Sequence, residues 1–224
     1  MFGKFVMNKV MSEEKNKTIY FVRHAESEGN KQPDYFQSQA SKLSQKGEGQ
    51  AKILADRISK IDIDIILSSS LPRAQQTAET IAKKTAKRIH YTDLLCEVKL
   101  PSIYYGKHRD ADEIAKLQQL FEQNKFNPDW RTADEENIED RKERARKILE
   151  LLLSFAEENL LVVTHGTILR ITIAYMIFGE DFTRREYHKF VPFLQASNTG
   201  ITVCTYRKQE GWRMLTWNDR AHFG

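Results

Sequence analysis

Short uncharged runs of apolar residues alternate along the chain with longer stretches in which apolar residues recur at helical spacing. Runs such as residues 18–22 and 160–164 are typical of strands buried on both faces of a parallel sheet. The expected strands are residues 18–22, 61–67, 88–92, 160–164, 201–206 and 212–217, and the expected helices are a segment capped by Ser44 and residues 72–85, 110–123, 134–158 and 168–178. This succession of elements predicts an α/β protein.

The size of the chain favours a single core. With 224 residues and 40% hydrophobic content, one substantial core can be buried. We predict a single domain over residues 18–224, and we expect the basic, methionine-rich residues 1–17 to form a disordered extension. Residues 99–137 fit the strand and helix alternation least well, and they are predicted to be a helical insertion or lid at the ligand-binding end of the sheet.

The insertion supports two interpretations. Apolar residues at helical spacing usually form a core, so the first is a small subdomain core built from Leu117, Leu120, Phe121 and Trp130. The second is a surface that meets the organic part or a second acidic group of a substrate, built from Tyr104, Tyr105, Lys107, His108 and Arg109. For the aromatic residues we favour the core.

Charge and cysteine content narrow the class of partner. A net charge of +4 and a pI near 8.9 suit an anionic substrate but are too weak to predict a nucleic-acid partner. No apolar run reaches the length that crosses a membrane, so no membrane partner is expected. Cys96 and Cys204 have no metal-ligand spacing, which favours a reduced, cytoplasmic setting over a disulfide scaffold.

Polar residues begin abruptly where the first apolar run ends, at Arg23 and His24. Ligands of open α/β sheets bind at the carboxyl ends of strands. Neighbouring side chains of a continuing strand point to opposite faces, so both can line one pocket only if the chain turns there. A neutral imidazole beside a guanidinium fork suits attack on phosphorus. The alternative is a surface ion pair for Arg23 and a backbone cap for His24.

Two later segments have the same character. Residues 160–164 form a second buried run that ends at His165, and Gly166 eases the turn into the next helix. Because a parallel sheet aligns its strand ends, His24 and His165 can converge. Arg73 follows Pro72 at a helix N-terminus, which favours an anion. The alternatives are a pair between Arg73 and Glu79, and a backbone contact for His165.

These segments resemble the histidine phosphatase superfamily, in its phosphoglycerate-mutase-like branch. The resemblance rests on RHAES followed by Asn30, on LSQKGEGQA, on SSSLPRAQQTAE around Arg73, and on the block around His165. It implies a three-layer sandwich with a mostly parallel central sheet and helices on both faces. It also implies that His24 becomes phosphorylated, that Arg23, Arg73 and Asn30 bind phosphate, and that His165 both binds phosphate and assists catalysis. Ala25 stands where glycine is usual, so we expect a negative φ there.

A phosphohistidine mechanism needs a proton for the leaving oxygen, which a positioned carboxylic acid can supply. The resemblance places a catalytic glutamate after a short apolar approach, and Glu97 follows such an approach at residues 93–95. A glutamate after two leucines is also commonly a surface residue. Glu26 is the competing carboxylate.

The sequence thus predicts metal-independent hydrolysis of a phosphomonoester through a phosphohistidine, with no cofactor. The expected partner is a small phosphorylated molecule, with a phosphoprotein as a second possibility, and the oligomeric state is left open. One alternative is a mutase, although mutases usually carry tryptophan before the asparagine and this chain carries Gly29. The other is a phosphate-binding module without efficient turnover. Asn198 resembles a family position of unassigned role, and His222 is interpreted as structural.

Overall fold

The computed structural model describes residues 16–124, 127 and 129–224. Most of the predicted extension, residues 1–15, therefore lies outside the described residues, but Lys17 already opens the first strand and is buried. The strands within the described ranges are β1 Lys17–Arg23, β2 Ile65–Ser69, β3 Ile89–Thr92, β4 Asn159–Thr164, β5 Ile201–Arg207 and β6 Gly211–Asp219. The α-helices are α1 Gln45–Ile58, α2 Pro72–Thr85, α3 Asp112–Asn124, α4 Ile138–Ser154, α5 Gly166–Phe178 and α6 Arg184–Phe193.

The strands form one sheet in the order β3-β2-β4-β1-β5-β6. The pairs among β3, β2, β4 and β1 are parallel, whereas β5 and β6 add an antiparallel edge. The prediction of an α/β fold with a mostly parallel central sheet is confirmed.

Strand alternation divides the core between the two faces of the sheet. In β4, Leu160 and Val162 pack on the face covered by α4 and α5, and Leu161 and Val163 pack on the face covered by α1 and α2. Both faces are buried, which explains why β4 is uncharged throughout.

The strand register brings the two predicted histidines together. Arg23 of β1 pairs with Thr164 of β4, so the residues that follow them, His24 and His165, leave the sheet side by side. Ser68 of β2 pairs with Val163, which places Ser69 beside the same edge. The carboxyl edge of three parallel strands therefore carries His24 and His165, which the sequence singled out, and Ser69, which it did not.

Two predicted boundaries differ from the structure for identifiable reasons. The strand expected at 61–67 begins at Ile65, because the Asp64 side chain turns to the neighbouring segment and its carboxylate accepts the backbone N–H groups of residues 158 and 159. The helix expected from residue 134 begins at Ile138, because Asn137 and Asp140 form a capping box. Helix α6 was not predicted, and Pro192 lies in its last turn.

The insertion contains α3 and forms the core predicted for it only in part: the rings of Phe121 and Trp130 are in edge contact, with centroids 6.1 Å apart. Leu117 joins a cluster formed by Phe36, Tyr104 and Ile114, whereas Leu120 is 47% exposed. Phe36 belongs to the loop that follows β1, so the insertion is packed against the loop that carries the phosphate motif.

Helix α1 closely approaches the loop after β1 at one of its two glycines. This contact predicts that alanine substitution of the two glycines will have very different effects on stability. A Cβ on Gly47 would lie 1.8 Å from the backbone oxygen of Glu26, whereas a Cβ on Gly49 would meet nothing within 4 Å. We expect Gly47→Ala to destabilise the fold by about 1–3 kcal/mol through overpacking. Gly49→Ala, its matched control, should be neutral or stabilising by up to about 1 kcal/mol. Denaturant midpoints measure both, and equal midpoints would contradict the packing described.

Candidate active site

His24 directly follows β1 and is only 2% exposed. Its Nδ1 lies 2.7 Å from the carbonyl oxygen of Ala25. Because a carbonyl oxygen can only accept, this contact places the ring proton on Nδ1 and leaves a lone pair on Nε2. Nε2 accepts a hydrogen bond of 3.2 Å from Nε of Arg73. The nitrogen available as a nucleophile is therefore Nε2.

The electrostatic surroundings keep His24 neutral. Burial holds its pKa well below 6.5, and the charges of Arg73 and Arg23 lower that pKa further, against a smaller opposing effect of the bond to Ala25. A neutral imidazole is the nucleophilic form.

Two guanidinium groups concentrate positive charge at this edge. Arg73, the second residue of α2, is 3% exposed, and burial lowers its pKa to about 10 although Glu97 acts in the opposite direction. Burial also lowers the pKa of Arg23, again opposed by Glu97. Nη1 of Arg23 donates to the Ala196 carbonyl at 2.7 Å, and its buried Nε has no hydrogen-bond partner among the residues described. Buried cations with incomplete compensation favour the binding of an anion.

His165 lies beside His24, with ring centroids 4.9 Å apart. Its Nε2 is 2.8 Å from the hydroxyl oxygen of Ser69. Its Nδ1 is buried and has no hydrogen-bond partner within the described part of the chain. When the Ser69 hydroxyl donates to Nε2, the ring proton sits on Nδ1 and can be donated to an anion. The alternative of a backbone contact for His165 is not what the structure shows.

Glu97 is held by the N-terminus of α5. Its Oε1 accepts backbone N–H groups of Val98 at 2.9 Å and Ile168 at 3.0 Å, whereas its Oε2 accepts only that of Thr167, at 3.0 Å. Oε1 is thus fully engaged, and Oε2 keeps capacity for another partner. The carboxylate is a fixed group at the site and not a free surface residue.

The competing carboxylate, Glu26, is engaged differently. Its Oε2 pairs with Lys46 at 2.9 Å, and its Oε1 accepts from the Ser44 hydroxyl at 2.8 Å. The hydrogen bond from Lys46 is the main cause that lowers the pKa of Glu26. These contacts favour a carboxylate that stays ionised.

The loop after His24 is organised by its own polar residues. Asn30 forms a capping box with Ser27, and its Oδ1 also accepts from Nδ2 of Asn198 at 3.2 Å. A phosphate contact of Asn30 stays a prediction, since its observed contacts lie within the loop and with Asn198. Ala25 is not among the residues with positive φ, as expected, and its N–H donates to the Thr77 hydroxyl at 3.1 Å.

Two cavities flank this edge and share Glu97 and Thr167 in their walls. The larger, of about 720 Å³, also contains Arg23 and Arg170 in its lining. The smaller, of about 240 Å³, contains Arg73 and further residues that the insertion and α4 contribute: Leu100, Tyr105, Arg109 and Arg141. Over the residues described, no group of three His, Cys, Asp or Glu side chains is placed to hold a metal ion, and no helix is long and apolar enough to cross a membrane.

A model of the histidine phosphatase superfamily, branch 1, matches residues 19–220. The chain belongs to this superfamily. Among its relatives is a protein named "Probable phosphoglycerate mutase GpmB" of Cronobacter sakazakii, 26% identical over 91% of this chain and 94% of the relative. A second relative, provisionally named phosphoserine phosphatase 2 of Hydrogenobacter thermophilus, is 32% identical over 67% of this chain and 73% of its own length.

A solved structure has the same fold as this chain. YhfR of Bacillus stearothermophilus has a TM-score of 0.77 at 22% identity, covering 93% of this chain and all of that one. The names of the relatives cover both phosphatases and mutases.

Several residues that orient the site were not predicted in these roles, although Asn198 was noted for its resemblance to a family position. Ser69 contacts His165, Thr77 contacts the backbone of Ala25, and Asn198 Nδ2 donates to the His24 carbonyl at 2.9 Å. Arg170 joins the start of α5 to α6, through Gly166 and Val191 carbonyls each 3.0 Å away. Serine, threonine and asparagine in these roles have no sequence spacing that marks them.

The lowered pKa values of both histidines predict the response to acid. Since His24 and His165 titrate well below 6.5 in the folded protein and near 6.5 when unfolded, the unfolded chain binds more protons below that pH. Their contribution to stability is therefore complete above pH 6.5 and is lost as the pH falls toward the folded-state values. The free energy of unfolding should decrease from pH 6.5 downward, measured by denaturation in a pH series.

The same shift should keep His24 neutral, and so able to act as a nucleophile, in mild acid. The pKa values of the free protein govern kcat/KM, so kcat/KM corrected for the titration of the phosphate monoester near pH 6 is the appropriate quantity. We expect its acid limb to lie below 6.5, and a limb at or above 6.5 would contradict a neutral buried His24.

Proposed function

We propose that this protein hydrolyses phosphomonoesters through a phosphohistidine formed at His24. The observation that carries the proposal is the buried His24 with its lone pair on Nε2, 3.2 Å from Nε of Arg73 and beside His165. In the first step Nε2 attacks phosphorus, the bond from phosphorus to the ester oxygen breaks, and the leaving oxygen takes a proton. In the second step water attacks phosphorus and the bond to Nε2 breaks, which returns the lone pair to His24.

The buried polar groups that lack a hydrogen-bond partner in the described residues can bind the substrate. The buried Nε of Arg23 and Nδ1 of His165 can each donate to a phosphate oxygen, and Arg73 can turn its donors from His24 to the anion. Charge-assisted hydrogen bonds of this kind are worth roughly 1.5–3 kcal/mol each, and more where charge grows in the transition state. These cations supply the neutralisation that a metal ion supplies in other phosphoryl-transfer enzymes, so activity should withstand chelation.

Proton transfer is assigned to Oε2 of Glu97. Oε1 is occupied by two backbone donors, whereas Oε2 has one, and Glu97 lines both cavities. In the acid form Oε2 gives its proton to the leaving oxygen, and in the second step it takes one from the attacking water.

Hydrolysis is favoured over a mutase reaction by the packing at Gly29. A Cβ there would lie 2.4 Å from Cγ of Gln37, so the tryptophan of a mutase would fit at this position only if Gln37 moved. The larger cavity, of about 720 Å³, also gives water a route to Glu97. We therefore assign water as the final phosphoryl acceptor.

The smaller cavity favours substrates that carry a second acidic group. Nε of Arg141 is buried without a hydrogen-bond partner among the residues described, and the side chain meets the Glu135 carboxylate only at 3.6 Å. The Tyr105 hydroxyl accepts from Leu100 N and from Gln39 Nε2, both at 3.1 Å, so its own proton is free to be donated. A carboxylate fits this combination of donors.

We expect a higher kcat/KM for phosphoserine than for phosphoethanolamine, which lacks the carboxylate. Arg141→Met should reduce this preference by about 10- to 100-fold, the value of one charge-assisted contact. Arg213→Met, which removes an exposed cation of β6, is the matched control. An unchanged preference in Arg141→Met would leave the phosphatase assignment intact and overturn the assignment of the cavity.

The proposed activity is tested by hydrolysis of an aryl phosphate in excess chelator. Release of inorganic phosphate by the wild-type protein supports hydrolysis. Transfer of a labelled phosphoryl group from one phosphoglycerate molecule to another, without release of phosphate, would show a mutase instead. Phosphate binding without either reaction would show a binding module.

A further inference from the structure

The loop of residues 195–200, here called the site loop, lies between the catalytic edge and residues 217–222 of the chain. The latter residues, here called the clamp segment, contact alternate positions of the site loop. Trp217 Nε1 donates to the Gln195 carbonyl at 2.8 Å. The Asn218 side chain accepts from Ser197 N at 2.8 Å and donates to Ser197 Oγ at 3.2 Å.

The other side of the site loop contacts the two residues that begin the catalytic motif. The Ala196 carbonyl accepts from Nη1 of Arg23 at 2.7 Å, and the Asn198 amide donates to the His24 carbonyl at 2.9 Å. Thr199 N donates to the Arg23 carbonyl at 2.9 Å. The site loop therefore contacts the clamp segment on one side and Arg23 and His24 on the other.

His222 completes the arrangement through a chain of hydrogen bonds with one direction. The Thr199 hydroxyl donates to the Asn198 carbonyl at 2.7 Å, so its oxygen must accept from Nε2 of His222, 3.1 Å away. Nδ1 of His222 is then free to accept from Nη1 of Arg57, 3.3 Å away. Every donor in this chain has an acceptor.

The backbone of the site loop is held in an unfavourable conformation. Thr199 is β-branched, fully buried, and has φ of 58°. β-Branched residues rarely adopt the left-handed region, and surrounding contacts must hold them there. A Cβ on Gly200 would lie 2.0 Å from Oδ1 of Asn218, so the clamp segment is in close contact with the strained turn.

We infer that Asn218 and His222 are positioning residues that fix Arg23 and His24 for phosphoryl transfer, an inference that rests on the proposed function. Neither residue lines the two cavities at the site. They act through the site loop. Their contacts keep the strained turn at Thr199 in place, and the backbone of that turn in turn holds the backbone of Arg23. This assigns His222 a part in catalysis that goes beyond the structural interpretation of the sequence.

The test compares variants that remove single contacts. Asn218→Gly removes the amide and keeps a residue suited to its φ of 53°. His222→Ala removes the donor to Thr199, whereas His222→Gln can restore a donor and an acceptor. Trp217→Phe keeps an aromatic side chain and removes the donor to Gln195 together with part of the packing area of the indole. Leu215→Ala, on the same strand but 63% exposed, is the control.

For each variant we measure kcat on an aryl phosphate and inhibition by orthovanadate, at a temperature where circular dichroism shows the variant fully folded. Misplacement of catalytic groups predicts a fall in kcat of about 10- to 100-fold in Asn218→Gly and His222→Ala, with weaker vanadate inhibition. His222→Gln should recover most of the loss. Trp217→Phe should show a smaller loss, and Leu215→Ala none.

Folded variants with the kcat and vanadate affinity of the wild type would overturn the inference, even if their melting temperatures fall. If Asn218→Gly and His222→Ala do not fold, Trp217→Phe decides by the same two quantities. A wild-type protein without phosphatase activity would instead refute the proposed function, so the two failures are distinguishable.

Discussion

His24→Ala is expected to lower phosphatase turnover by about 10⁴-fold or more, because it removes the nucleophile itself. The side chain is buried next to Arg73 and His165, and no second imidazole within the described residues lies in contact with both. His165 does not replace it, since its Nε2 is engaged with Ser69. Steady-state hydrolysis of an aryl phosphate measures the loss.

His90→Ala is a suitable control, because His90 lies on β3 and contacts Phe155 away from the site. It should retain wild-type turnover. Substantial residual activity in His24→Ala, beyond a contaminating phosphatase, would mean that water attacks the substrate directly and that no phosphohistidine is required.

Glu97→Gln is expected to give the second largest effect, and the effect should depend on the leaving group. Loss of a general acid typically lowers the rate by about 10²- to 10⁴-fold. Alkyl phosphates have poor leaving groups and need the proton most, so their turnover should fall within that range. An activated aryl phosphate should lose less in the first step.

The matched control for Glu97→Gln is Glu26→Gln. Glu26 is held by Lys46 and Ser44, and its replacement removes a contact to an exposed lysine, so we expect a change of about threefold or less. Equal losses of kcat/KM, which reports the first step alone, for alkyl and aryl phosphates in Glu97→Gln would argue for a binding role. A larger loss in Glu26→Gln would move the acid to that residue.

The sequence predicted those parts of the site in which a chemically reactive residue stands at the end of a predicted strand or the start of a predicted helix. His24 and His165 each come just after a strand built on an uncharged apolar run, and the parallel register of β1 and β4 brings them together. Arg73 was identified by its place at the start of α2. The fold class followed from the same alternation of buried strands and amphipathic helices.

The other contacts at the site could not be predicted, because they join residues far apart in the chain. Ser69 and His165 are 96 positions apart, and Asn198 and His24 are 174 apart. Neither pair has a spacing that sequence patterns reveal. The predicted core of the insertion was wrong at Leu120 because Phe36, from another loop, supplies the partner surface.

Some sequence predictions are not tested by the structure. The phosphate contact of Asn30, the chemical roles at the site and the cytoplasmic location stay predictions. The extension over residues 1–15 lies outside the described residues. Membership of the superfamily supports phosphoryl chemistry in general, and the choice between hydrolysis and transfer rests on Gly29, Gln37 and the open cavities.

The measurement that tests the central claim most directly is rapid-quench detection of the phosphoenzyme. A labelled aryl phosphate is mixed with the protein, quenched in alkali to preserve phosphohistidine, and the labelled peptide is sequenced by mass spectrometry. We predict a phosphoryl group on His24 that forms at least as fast as turnover and is absent from His24→Ala. Turnover without any covalent phosphoryl group, or with the group on another residue, would contradict the account.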